Sequence, residues 1–129
     1  MTSMYETKLA SRWFLVLVAS IMAASQAAAF QSVIIEEIFS PDMFWADDGS
    51  MVVLEGVSYA AEDLEGDEDR YVCEILADEF EGRVASLRVE SVTHGPDHDY
   101  LHAWVRIGRK DMNRRAEEII AEVVSEREE

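Results

Sequence analysis

His94, Asp97, His98, Asp99 and His102 place five potential metal ligands within nine residues. Zinc accepts nitrogen and oxygen donors of these kinds. His94 can meet Asp97 or His98 across a tight turn. His98 and His102 cannot ligate one ion from an extended strand, because four strand residues span about 13 Å. No spacing in this segment matches a recognised zinc pattern, so the five groups read as solvated turn residues.

Arg106, Arg109, Lys110, Arg114 and Arg115 set five cations within ten residues, against Asp111 alone. Their chemistry is that of an anion or acidic-partner patch. The competing reading pairs them with the acids of Glu62–Asp69. Arg114 and Arg115 also fall where a helix dipole disfavours cations. That acidic run has six carboxylates in eight residues. It lacks the D-x-[DN]-x-[DN]-G spacing of a calcium loop and reads as a solvated loop. Cys73 is the single cysteine; no internal disulfide is possible, and its place in a predicted helix suits a buried thiol. Tyr100 and Trp104 share one side of a predicted strand, where they either stack on a ligand or pack under a helix. The sequence contains no nucleophile motif, glycine-rich phosphate loop or CxxC pair.

The elements that must position these residues follow from periodicity. Val33–Phe39 is β-branched and apolar, and Met51–Val57 forms a second strand after the turn signal Asp47-Asp48-Gly49-Ser50. Arg70–Glu81 has helical spacing, with Tyr71, Val72, Ile75, Leu76 and Phe80 on one face and Gly82 as its stop. Arg83–Thr93 and Tyr100–Ile107 alternate with period two, joined by the turn His94-Gly95-Pro96-Asp97. A last helix starts near Asn113, a plausible N-cap, with Ala116, Ile119, Ile120, Val123 and Val124 on one face.

Residues 1–29 read as a signal peptide. Lys8 and Arg12 precede the apolar run Trp13–Ala24, followed by small residues with Ala27 and Ala29 placed for cleavage before Phe30. Cleavage one step earlier is the alternative. The apolar run falls short of the roughly 20 residues that span a bilayer, so a cleaved chain carries no permanent membrane anchor. The expected location is exported, periplasmic or secreted. Residues 30–129 then form one domain, with nine cations against 26 carboxylates and a formal charge of −17. With 49% apolar and 29% charged residues in the full chain, neither a disordered polymer nor a polytopic membrane protein is indicated. The acidity opposes general nucleic-acid binding, which relies on Lys and Arg at phosphates.

The segment Ala103-Trp104-Val105-Arg106-Ile107-Gly108-Arg109-Lys110-Asp111-Met112-Asn113 resembles the late hairpin of the staphylococcal nuclease-like (thermonuclease) family. There an A-[YW]-[IV] strand, a turn and an "xxN" lead into a helix. Gly82 with Val84–Val89, and Leu54-Glu55-Gly56-Val57, resemble two further blocks of that family. The resemblance covers about Val33 to Val124. It implies a mainly β (α+β) fold: a five-stranded OB-type barrel with two helices.

In that family two Asp residues hold Ca²⁺, a Glu orients or activates water, and two Arg residues brace the phosphate. Carried over, "DGDT" falls on Ser40-Pro41-Asp42-Met43, which leaves Asp42 as the metal-type carboxylate. The first Arg falls at Val53, the second Asp at Ser58, the Glu at Ala61 and the second Arg at Tyr100. Glu62 lies one position late and serves only if the loop shifts. Losing one positioned charge costs about 2–4 kcal/mol of transition-state stabilisation. These substitutions imply a catalytically inactive barrel with no cofactor; with the signal peptide and the acidic surface, the expected function is an exported binding module whose partner is a protein in the cell envelope or a small cationic ligand. The alternative is a divergent Ca²⁺-dependent nuclease acting on DNA or RNA, with Asp42 on the metal and Glu62 as catalytic group.

Overall fold

Alternating burial along the strands closes a barrel. The computed structural model describes residues 29–127; of the expected signal peptide, all but Ala29 lies outside the described residues. The elements are β1 (Ala29–Ser40), β2 (Met43–Ala46), β3 (Met51–Leu54), α1 (Ser58–Ala61), α2 (Gly66–Phe80), β4 (Val84–His94), β5 (Asp99–Ile107), β6 (Lys110–Asp111) and α3 (Met112–Arg127). Strands β1-β2-β3-β5-β4 form a closed ring, antiparallel throughout except for the parallel pair β3–β5; β6 extends the sheet from β5. This is an OB-like barrel. The long β1 serves two neighbours, pairing with β4 through Ile34 and with β2 from Ile35 onward.

Inward positions on the barrel include Ile35, Phe44, Val52, Leu87 and Val105, all fully buried. Val72, Leu76 and Phe80 of α2 and Ile119 of α3 join the same core. Each such side chain contributes about 1.5–3 kcal/mol of transfer free energy. Among the described residues the buried core runs from Val33 to Val123. Among the described residues no helix is long and apolar enough to cross a membrane.

Several expected boundaries shift for local reasons. Helix α2 begins at Gly66, inside the acidic run expected to be loop. Glu65 and Glu68 form a reciprocal capping box, and Asp67, Glu68 and Asp69 occupy the first turn, where the dipole favours acids. Tyr71 leaves the core face and is 54% exposed, while Cys73 takes a buried place. Strand β3 ends at Leu54 rather than Val57 because Gly56 turns the chain at φ +81°.

Asn113 is not the cap of α3. It lies inside the helix, 1% exposed, while Asp111 accepts the Arg114 N–H at 3.2 Å. The Asn113 amide instead bonds the barrel wall. Its Oδ1 accepts the Val105 N–H at 2.8 Å, and its Nδ2 donates to the carbonyls of Glu55 at 2.9 Å and Ala103 at 3.1 Å. Strand β5 pairs with β3 up to Ala103 and with β6 from Arg106. One side chain thus fills the gap in the ladder where the ring closes.

Candidate functional site

Asp42 sits in the turn between β1 and β2, and its carboxylate is already bonded. Ser40 Oγ donates to one oxygen at 2.6 Å and Ser58 Oγ donates to the other at 2.7 Å. Its backbone carbonyl accepts the Leu54 N–H at 2.7 Å, which ties the turn to β3. Ser58, the first residue of α1, is therefore within hydrogen-bond reach of Asp42. Glu62 follows α1 as its C-cap, with its own N–H donating to the Ser58 carbonyl at 3.2 Å.

Among the described residues no Lys or Arg is aligned with this turn along the strands. Val53 pairs with Met43 on one side and His102 on the other, while Tyr100 pairs with Met51. Among the described residues no three His, Cys, Asp or Glu side chains are grouped to hold a metal ion. Ca²⁺ takes six to eight oxygen ligands, usually including several carboxylates. One carboxylate bridged by two hydroxyls does not fit that requirement.

Beside the turn runs a row of rings that the sequence reading missed. Phe39 and Trp45 lie with centroids 6.0 Å apart, Trp45 meets His98 edge-on at 4.7 Å, and His98 meets Tyr100 at 4.8 Å. Trp45 belongs to β2, a four-residue strand whose alternation turns Phe44 and Ala46 inward and Trp45 outward. Gly95 permits the close approach of the β4–β5 turn, since a Cβ there would lie 2.8 Å from the His98 carbonyl oxygen and 3.1 Å from the Tyr100 ring. Phe39 remains 39% exposed.

The three imidazoles diverge. His94 Nδ1 bonds Asp99 at 2.9 Å. His98 is part of the ring row rather than a solvated turn residue, and its Nε2 is buried without a hydrogen-bond partner. His102 Nε2 lies 3.1 Å from Thr93 Oγ1, with its Nδ1 3.7 Å from the Glu55 carboxylate.

The five cations divide between two neighbouring grooves. Arg109, Lys110, Arg114 and Arg115 line one of about 490 Å³ together with Glu79, Asp111 and Glu118. Arg106 lines another of about 240 Å³ with Phe30, Arg88 and Trp104. Arg115 does not pair with the acidic run: its Nε and Nη2 bond the Glu79 carboxylate at 2.8–3.1 Å. Arg114 pairs with Glu118 at 3.2 Å. It is Arg127 that reaches the acidic run, bonding the Glu68 carboxylate and the Asp63 carbonyl. The hydrogen bonds from Arg115 hold the Glu79 carboxyl below the usual carboxylate range and raise the guanidinium in turn.

Cys73 lies beside Asp69, with Sγ 3.8 Å from its carboxylate. Burial first, then the charge of Asp69, pushes the thiol up to about 12. A thiol held protonated in this way is a poor nucleophile. Comparisons with protein-family models, with curated proteins and with solved structures find no match to this chain.

Proposed function

We propose that this chain is an exported, non-catalytic relative of the staphylococcal nuclease-like barrels that binds a protein partner in the cell envelope. The carrying observation is Asp42, whose two oxygens accept hydroxyls from Ser40 and Ser58. Ser58 stands where the family resemblance expects the second metal-holding aspartate, and Ser40 where its DGDT motif begins. The strand order β1-β2-β3-β5-β4, with α2 between β3 and β4, supports the same reading. A serine in place of an aspartate removes the charge that would hold Ca²⁺ and leaves a donor that satisfies Asp42.

Binding is assigned to the ring row next to this turn. Phe39, Trp45 and Tyr100 offer aromatic faces, with Asp42 on the adjoining turn and Glu55 beside His102. Aromatic faces and carboxylates together favour Lys or Arg side chains of a protein partner, through cation–π contact and charge.

Calcium titration read by thermal melting tests the loss of the metal site. The wild type is expected to show no calcium-dependent shift, and a Ser40→Asp, Ser58→Asp variant to gain one. A shift in the wild type that Asp42→Ala removes would contradict the proposal. A photoreactive phenylalanine analogue at position 45 should give a discrete protein adduct in the envelope fraction. Equal adducts from position 59, which is 83% exposed and outside the row, would contradict the assignment of the surface.

A further inference from the structure

An open sheet edge is a template for another strand, and native proteins shorten such edges, charge them or kink them with bulges. Strand β6 is a short edge, two residues long, and both of them, Lys110 and Asp111, are charged. Strand β4 runs past its last β1 partner, Val89, through a bulge between Val89 and Ser91, and carries Glu90 and His94. The first half of β1 is also open among the described residues, and it has none of these features.

Strand β1 pairs with β2 only from Ile35 onward. Ile34 still has partners on that side: its N–H donates to the Asp47 carboxylate at 2.9 Å, and its carbonyl accepts the Asp47 N–H at 3.0 Å. Ile35 serves the opposite side, toward Gly82 and Arg83. Backbone groups alternate in this way along an antiparallel strand. Those of Phe30 and Ser32 therefore face the Asp47 side, where no described strand pairs with them. Ala29–Ile35 (AFQSVII) contains no charge, Pro or Gly, in a chain that is 29% charged. Phe30 is 76% exposed and Ile34 41%.

Asp47 closes this edge at Ile34, so an added antiparallel strand has to start beside Ser32. A chain that begins at Phe30 does so. Pairing centred on Gln31 sets Phe30 of each copy opposite Ser32 of the other. The two Phe30 side chains become diagonal neighbours, about 7–8 Å apart and within reach of each other. Charge favours the same occupant. Residues 30–129 hold nine cations and 26 carboxylates, so two copies repel except across an uncharged contact. Glu36 lies about 17 Å along the strand from Gln31, beyond the screening length of about 8 Å at physiological salt. The α-amino group of Phe30 in one copy points toward Asp47 of the other.

We infer that a second copy of this chain pairs antiparallel on the β1 edge, through Phe30, Gln31 and Ser32, giving a two-fold dimer with one continuous sheet. This rests on the proposed export in one respect, cleavage before Phe30. It goes beyond the proposed partner site, since Phe39 and Trp45 of the ring row are not used.

Sedimentation velocity of the exported chain, with its intact mass measured alongside, tests the inference. The mass reports cleavage and the sedimentation reports pairing, so the two fail separately. A reversible dimer should grow with concentration. Ser32→Pro removes the edge N–H from a position where a strand tolerates Pro, and should weaken the dimer by about tenfold or more. Tyr59→Ser, at an exposed residue away from the edge, should leave it unchanged. On a Cys73→Ser background, Gln31→Cys should cross-link two copies under mild oxidation. Directly opposed residues of a non-hydrogen-bonded pair stand about 4.5 Å apart at Cα, within disulfide reach. A folded chain that stays monomeric up to about 1 mM would overturn the inference, as would a dimer that Ser32→Pro leaves equally tight. Equal cross-linking from Tyr59→Cys would overturn the register, and a mass that retains the leader would remove the premise and the inference with it.

Discussion

Replacing Asn113 tests the closure of the barrel. Asn113→Ala removes three hydrogen bonds of 2.8, 2.9 and 3.1 Å from a site that is 1% exposed. The Ala103 carbonyl keeps the Glu55 N–H, which bonds it at 2.9 Å. The Val105 N–H is left unpaired, at a cost of about 1–3 kcal/mol, and each lost bond to the two carbonyls adds about 1 kcal/mol or less. A total near 3 kcal/mol is a large share of the roughly 5–15 kcal/mol that holds a typical domain. It should lower Tm by about 12–24 °C for a chain of this size.

Asn113→Asp gives the sharper result. One oxygen still accepts from Val105, but the other faces the carbonyl oxygens of Glu55 and Ala103, so the buried carboxylate has no donor there. Its pKa in the fold must rise above the unfolded value. The penalty is then fully present above the folded pKa and fades as the pH falls toward the unfolded value. Urea melts of the three proteins between pH 7 and pH 4.5 should show the Asp variant closing on wild type in acid, and the Ala variant keeping a constant gap. A cost below about 1 kcal/mol for Ala, or a pH-independent gap for Asp, would refute the role assigned to Asn113.

Cys73 should resist a thiol reagent in the native chain at pH 8 and react at once in urea, because burial and Asp69 hold it protonated. Rapid labelling of the folded protein would contradict this. Glu79 is bonded by Arg115 and its pKa is depressed, so its contribution is present above the unfolded value near 4.5 and is lost as the pH falls below it. Melting from pH 6 to pH 3 should show Glu79→Gln less acid-sensitive than wild type, with a deficit of about 1 kcal/mol at neutral pH; parallel pH profiles would contradict the pairing.

The long elements were legible because their patterns are local. Alternation in Arg83–Thr93 and Tyr100–Ile107 marks two of the three long strands of the ring, and the spacing of Val72, Leu76 and Phe80 marks α2. Strand β2 was not, since four residues between Asp42 and Asp47 give too short a pattern. The acidic run misled in its second half because charge density suggests loop, whereas acids at a helix N-terminus are stabilised there. Asn113 looks like a cap because caps are local, yet its partners lie eight, ten and 58 residues away. The cation run divides because strand alternation turns Arg106 to the sheet face while helical spacing turns Arg115 onto Glu79. The Ser40–Asp42–Ser58 clasp needs a 16-residue separation to close, which no periodicity shows.

The Asp42 carboxylate is occupied by the Ser40 and Ser58 hydroxyls, and the proposed function takes it to hold no metal. Digestion of denatured DNA and of RNA by folded residues 30–129, with Ca²⁺ and with chelator, tests it most directly. Intact substrate is expected in every lane. Chelator-sensitive cleavage that vanishes in an Asp42→Ala, Glu62→Ala double variant would contradict it and place a working active site at the β1–β2 turn.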